Sequence, residues 1–140
     1  MIEQNKTRIR EFLDRVLSSG DIAATGDYFH TDMVEEVPFP GQGPGLAGLK
    51  ETIKALRVAF PDMHWRVEEQ IAEGTRVLTR FTWEGTHRGD FLGIPPTHHS
   101  VSVWGMVIDQ FEGSKVSSTR ILMDTMGLMQ QLGALPSGPD

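Results

Sequence analysis

The chain has 140 residues, enough for one domain around one core and too few for two ordinary domains. Hydrophobic residues make up 39% and charged residues 23%, the balance of a globular chain rather than a disordered one, and the formal net charge of −6 leaves no concentrated basic face for nucleic acid. With no cysteine, disulfides, thiol nucleophiles and Cys-ligated metals are excluded. No apolar run is long enough to span a membrane, and Met1 to Arg10 lacks the apolar stretch of a signal peptide, so a cytoplasmic protein is expected.

Ile9, Phe12, Leu13, Val16 and Leu17 recur at helical spacing, and Ser18-Ser19-Gly20 closes that first helix with a glycine suited to a left-handed cap. Asp21 can cap a second short helix through about Phe29. An extended piece is predicted at Met33 to Phe39, bounded by Pro38 and Pro40. After the Pro40 to Gly45 loop, Leu49, Ile53, Leu56 and Phe60 mark a third helix that Pro61 stops. The period then changes to two. Met63, Trp65 and Val67 read as one strand; Val77, Thr79, Phe81 and Trp83 as the next; Val101, Val103 and Val107, opposite Trp104, Met106 and Ile108, as a third. Lys115 to Met123 is the last strand, and Thr125 to Leu132 a final helical turn or two. The four longer strands can pair as an antiparallel meander, with the helices on one side. One domain over 1–140 is expected, with a short flexible tail from Leu135 to Asp140.

Trp83 to Thr97 holds three glycines and the Pro95-Pro96 pair, which predict a long shaped loop. Phe91, Leu92 and Ile94 are large apolar groups that an exposed loop has no use for, so part of it should fold over an apolar cavity or a subunit contact. The motif Gly85-Thr86-His87-Arg88-Gly89-Asp90-Phe91-Leu92-Gly93-Ile94-Pro95-Pro96-Thr97, with the ending Gly127-Leu128-Met129-Gln130-Gln131-Leu132-Gly133 and the element order, resembles the SnoaL-like polyketide cyclase (ester cyclase) family of the NTF2-like superfamily. The resemblance covers nearly the whole chain. It implies an α+β fold, a cone-shaped barrel in which a curved antiparallel sheet and N-terminal helices enclose an apolar pocket. It also implies a homodimer or homotetramer through the outer sheet face, and no metal or organic cofactor.

Cyclases of this family close a ring by an intramolecular aldol reaction, which needs one positioned acid/base worth ~10²–10⁴-fold and a dry, shaped cavity. Aligned on the Gln130 to Gly133 ending, the family's acid/base position falls at Ile121 and its polar partner at Val107, and neither can move a proton. Other groups must then carry the chemistry. His30 can donate to a substrate carbonyl or cap a helix end. His87 continues the parity of Val77 to Trp83, as a proton carrier or as a support for the loop. Asp124 ends the last strand, as a general base or as the cap of the terminal helix. Glu35 and Glu36 alternate across the extended piece, so one points inward, and Glu36 is taken as the candidate. Tyr28, Phe39, Trp65, Trp83, Val107, Ile121 and Met123 are expected to line the pocket around a small hydrophobic or aromatic substrate.

Arg120 is expected to face outward, away from the Ile121 side. His98, His99 and Asp90 do not share one face, so metal is not expected. The Arg-x-Asp pair of the superfamily's epoxide hydrolases is missing, since Arg80 is followed by Phe81 and Thr82. The alternatives to a cyclase are a SnoaL-like tailoring hydroxylase component, or a non-catalytic module that binds a hydrophobic ligand or dimerises.

Overall fold

In the computed structural model residues 1–135 are described, so the expected flexible tail lies, beyond Leu135, outside the described residues. Helix α1 (Ile2–Phe12) continues unbroken into a wider π-helical turn at Leu13–Ser18. Ile9, Phe12, Leu13, Val16 and Leu17 are all buried along one stripe, which is what the i, i+3, i+4 spacing requires of a helix laid on a core. Arg57 donates to the carbonyls of Leu17 (2.7 Å) and Ser18 (3.2 Å), which the helix end leaves open, and Gly20 turns the chain at φ +83.

The predicted second helix is a 3₁₀ segment at Ile22–Asp27. Asp21 does not cap it, because its carboxylate is engaged by Arg15 at 3.1 Å. The extended piece expected at Met33 to Phe39 is instead strand β1 (Phe29–Glu35). Its position is decided by parallel pairing with β5, which begins at Phe29 opposite Val116 and passes an irregularity before Val34 meets Ser118.

Helix α2 (Gly45–Ala59) follows the Pro/Gly loop. Gly48 is needed there because any Cβ would overlap the Gly43 carbonyl, so the loop lies directly against the helix. Strands β2 (His64–Glu73), β3 (Arg76–Thr86), β4 (Ser100–Glu112) and β5 (Lys115–Met123) form the expected meander, giving a sheet of order β1-β5-β4-β3-β2. Helix α3 (Thr125–Gln131) follows β5. On β4 the odd positions from Val101 to Phe111 turn toward the helices, and Ser102, Trp104 and Met106 turn away.

The predicted loop starts later than Trp83. Strand β3 runs through Gly85 to Thr86, paired with β4 throughout, because a glycine lets the strand pass close to Phe60 and Met63. The true loop spans 87–99 and is held by bonds from the Arg88 and Gly89 amides to the Ala59 carbonyl, at 2.9 and 3.2 Å. Phe91 folds inward against Phe60 and Phe39, at ring separations of 5.4 and 6.1 Å. Leu92 is half exposed. Among the described residues no helix is long and apolar enough to cross a membrane.

Candidate functional site

The concave face of the sheet and the helices enclose a cavity of about 90 Å³. Its walls are mostly apolar: Phe12, Leu13 and Leu17 from the first helix, Leu49, Ile53 and Leu56 from α2, and Phe29, Phe39, Trp65, Phe81, Val107, Ile121 and Met123 from the strands and the loop after β1. Phe39, Trp65, Val107, Ile121 and Met123 are the residues expected there. Val107 and Ile121 face each other as cross-strand partners, so the two positions that lack a proton carrier lie side by side on the wall.

Two carboxylates break this apolar surface. Asp109 and Glu35 both line the cavity, and Thr119 lies between them as the cross-strand partner of each. The three form one row across β1, β5 and β4. Asp109 is 3% exposed. Its removal from water pushes its carboxyl from the ordinary 3.8 up to about 7; a hydrogen bond from the Thr119 hydroxyl opposes that rise, and the nearby Glu35 charge adds to it. Glu35 is also raised, chiefly by desolvation and further by the Glu36 charge. Two backbone amides counter this by donating to its Oε2, Val37 at 3.0 Å and Ile121 at 3.3 Å. Two carboxyls in one row, each with its proton affinity raised by burial, are groups that can hold a proton inside an apolar cavity.

Asp109 is not among the sequence candidates, although its strand parity with Val101, Val103 and Val107 marks it as a carboxylate on a buried face. The four sequence candidates lie elsewhere. The inward member of the glutamate pair is Glu35; Glu36 points outward and takes an ion pair from Arg120 at 2.6 Å, so Arg120 faces outward as expected. Asp124 caps α3, accepting from the Gly127 amide at 2.9 Å on the exposed side of the cone. His30 meets the Glu112 carbonyl at 2.7 Å, at the edge where β1 passes the β4–β5 turn.

His87 is fully buried but stands behind the cavity wall, its ring tilted against Phe60 at 5.5 Å. Its Nδ1 accepts from the Thr97 amide at 3.1 Å, and Thr97 Oγ1 lies 3.0 Å away, so the ring ties the two ends of the 87–99 loop together. Tyr28 and Trp83 are likewise off the wall. Tyr28 packs on Phe12 under the Arg8 guanidinium, 4.8 Å from its ring centre, and Trp83 is a fully buried core ring behind Trp65. His99 Nδ1 meets the Gln131 carbonyl at 2.9 Å.

A cone of one curved five-stranded sheet, closed by helices over an apolar interior, is the NTF2-like α+β fold. Residues 7–132 match the model of the SnoaL-like polyketide cyclases, and the chain belongs to that family. Solved structures agree. A protein of Acidithiobacillus ferrooxidans, provisionally described as a polyketide cyclase, is 29% identical with a TM-score of 0.81, covering 93% of this chain and 94% of its own. AclR of Streptomyces galilaeus, provisionally described as a hydroxylase, is 25% identical with a TM-score of 0.85, over 100% and 87%. TsrD of Streptomyces laurentii is 25% identical with a TM-score of 0.82, over 95% of each chain. No curated protein matches the sequence significantly.

Proposed function

We propose that this chain is a cofactor-free acid/base enzyme that closes a ring within a bulky aromatic or polyketide-like substrate by an aldol-type reaction, using Glu35 and Asp109. The observation that carries this reading is the Glu35–Thr119–Asp109 row in an otherwise apolar cavity. Glu35, ionised and held by two amides, removes the proton α to one substrate carbonyl. The enolate carbon attacks a second carbonyl of the same molecule, forming a C–C bond as that C=O π bond opens. Asp109 protonates the new alkoxide, and the proton on Glu35 returns to Asp109 past the Thr119 hydroxyl. The substrate is isomerised and the pair restored, so no electrons are exchanged with another group. The dry aromatic wall of Phe12, Phe29, Phe39, Trp65 and Phe81 folds the reactant and strengthens each charge interaction inside.

The likeness to AclR favours one second reading, a tailoring hydroxylase component built on the same cavity. A direct test uses 2-(2-oxopropyl)benzaldehyde, whose intramolecular aldol product loses water to give fluorescent 2-naphthol. Cyclisation should exceed the buffer rate and fall roughly 10²-fold or more in Asp109→Asn and in Glu35→Gln. Equal rates in both variants and wild type would leave the cyclase reading without its acid/base pair.

A further inference from the structure

A second cavity adjoins the first. It is an outer cleft of about 220 Å³ between the Phe39–Gly43 turn, α2 and Asp90–Leu92, and it shares Phe39, Gln42, Thr52 and Leu56 with the inner cavity. Sites for whole drug-sized ligands run to about 300–1,000 Å³, so the inner space of about 90 Å³ holds only the reacting end of a polycyclic molecule. The remainder has the outer cleft to occupy.

The four shared residues form a waist between the two spaces. Phe39 and Leu56 are its apolar half. The hydrogen bonds already made by Gln42 and Thr52 decide what each has left to offer. The Phe39 backbone amide donates to Gln42 Oε1 at 3.0 Å, and the Gln42 backbone N–H donates back to the Phe39 carbonyl at 2.9 Å. Because a backbone N–H can bond only the oxygen of the side-chain amide, the orientation of Gln42 is settled, and its NH₂ remains as a donor. Thr52 Oγ1 donates to the Gly48 carbonyl at 3.0 Å and keeps its lone pairs.

No Lys, Arg or His is among the residues lining either cavity, whereas Glu35, Asp109, Glu51 and Asp90 are. Lys54 reaches Glu51 at 3.2 Å without itself lining the cleft. An anionic ligand would meet carboxylates on both sides of the waist.

We propose that the two cavities are one bipartite binding site for a ligand without negative charge, and that Gln42 reads a carbonyl oxygen at the waist between them. The inference rests on the inner cavity as the place of reaction: the reacting end lies beside Glu35 and Asp109, and the rest of the molecule fills the outer cleft. Gln42 then selects among ligands by donating to the acceptor that spans the junction.

Benzophenone tests this, since its two rings flank one carbonyl, and diphenylmethane is the same shape without the oxygen. On irradiation the ketone oxygen abstracts hydrogen only from C–H bonds beside it, so benzophenone bound across the waist should label Leu56, which lines both cavities, read by mass spectrometry. Gln42→Met should weaken benzophenone about three- to tenfold and leave diphenylmethane unchanged. Gln42→Glu keeps the acceptor for the Phe39 amide, loses the donor, and should weaken benzophenone at least as much. Equal losses for both ligands, a label on Met123 or Leu92 with none on Leu56, or no binding of benzophenone overturns the proposal. Binding across both cavities in wild type and in Asp109→Asn, with no cyclisation by either, would sink the acid/base reading and leave the bipartite site standing.

Discussion

The burial of Asp109 has a consequence for stability as well as for chemistry. The unfolded carboxyl titrates near the ordinary 3.8 and the folded one at about 7, so between these values the folded chain holds a proton that the unfolded chain has lost. Stability contributed by this group is therefore present below about pH 4, declines as pH rises across that window, and is level above about 7. The displacement caps the loss at about 4 kcal/mol. Asp109→Asn should remove that slope and melt higher than wild type at pH 8, with the difference shrinking at pH 4; thermal unfolding at the two pH values checks it. A variant that melts lower at pH 8 would mean that the carboxylate is stabilised where it lies. This residue was legible in the sequence, because the alternation of Val101, Val103 and Val107 carries on to position 109. The choice between Glu35 and Glu36 was not, since the irregularity between Phe29 and Val34 breaks the period on which a parity argument relies.

At the scale of elements, periodicity identified α1, α2 and all four meander strands, whose amphipathic faces are set by local spacing. It misplaced β1 and the start of the long loop, because both depend on partners far away in sequence: β1 on β5, and the end of β3 on room beside Phe60 and Met63. The 87–99 loop is itself pinned to α2. A Cβ at Gly89 would overlap the Val58 carbonyl, so Gly89→Ala should push the loop off the helix end. The cost expected is ~1–3 kcal/mol, seen as a melting temperature lower by several degrees. Because Asp90 to Leu92 border the outer cleft, the same variant should also weaken benzophenone binding. An unchanged melting temperature would mean that the loop is not anchored where these contacts place it.

For the whole molecule, the sheet has two faces with different fates. The concave face holds the acid pair and the apolar wall. The convex face exposes Trp104, Met106 and Leu122 close together, with Met106 and Leu122 as cross-strand partners, and ion pairs Arg80–Glu69 and Arg120–Glu36 nearby. An apolar patch flanked by charge is the composition of a self-association surface. A homodimer or homotetramer is expected to form through this face, and Leu122→Glu should break it to monomer in sedimentation, leaving cyclisation per chain within about twofold, because the patch and the cavity lie on opposite sides of the sheet. A wild-type chain that sediments as a monomer would overturn this expectation. Everything assigned to the concave face turns on whether Asp109 and Glu35 hold a shared proton near neutrality. A ¹³C NMR titration of the Asp109 side-chain carboxyl, in wild type and in Glu35→Gln, measures this directly. The expected result is a midpoint near 7 that falls when Glu35 loses its charge. A midpoint near 4 that is indifferent to Glu35 would contradict it.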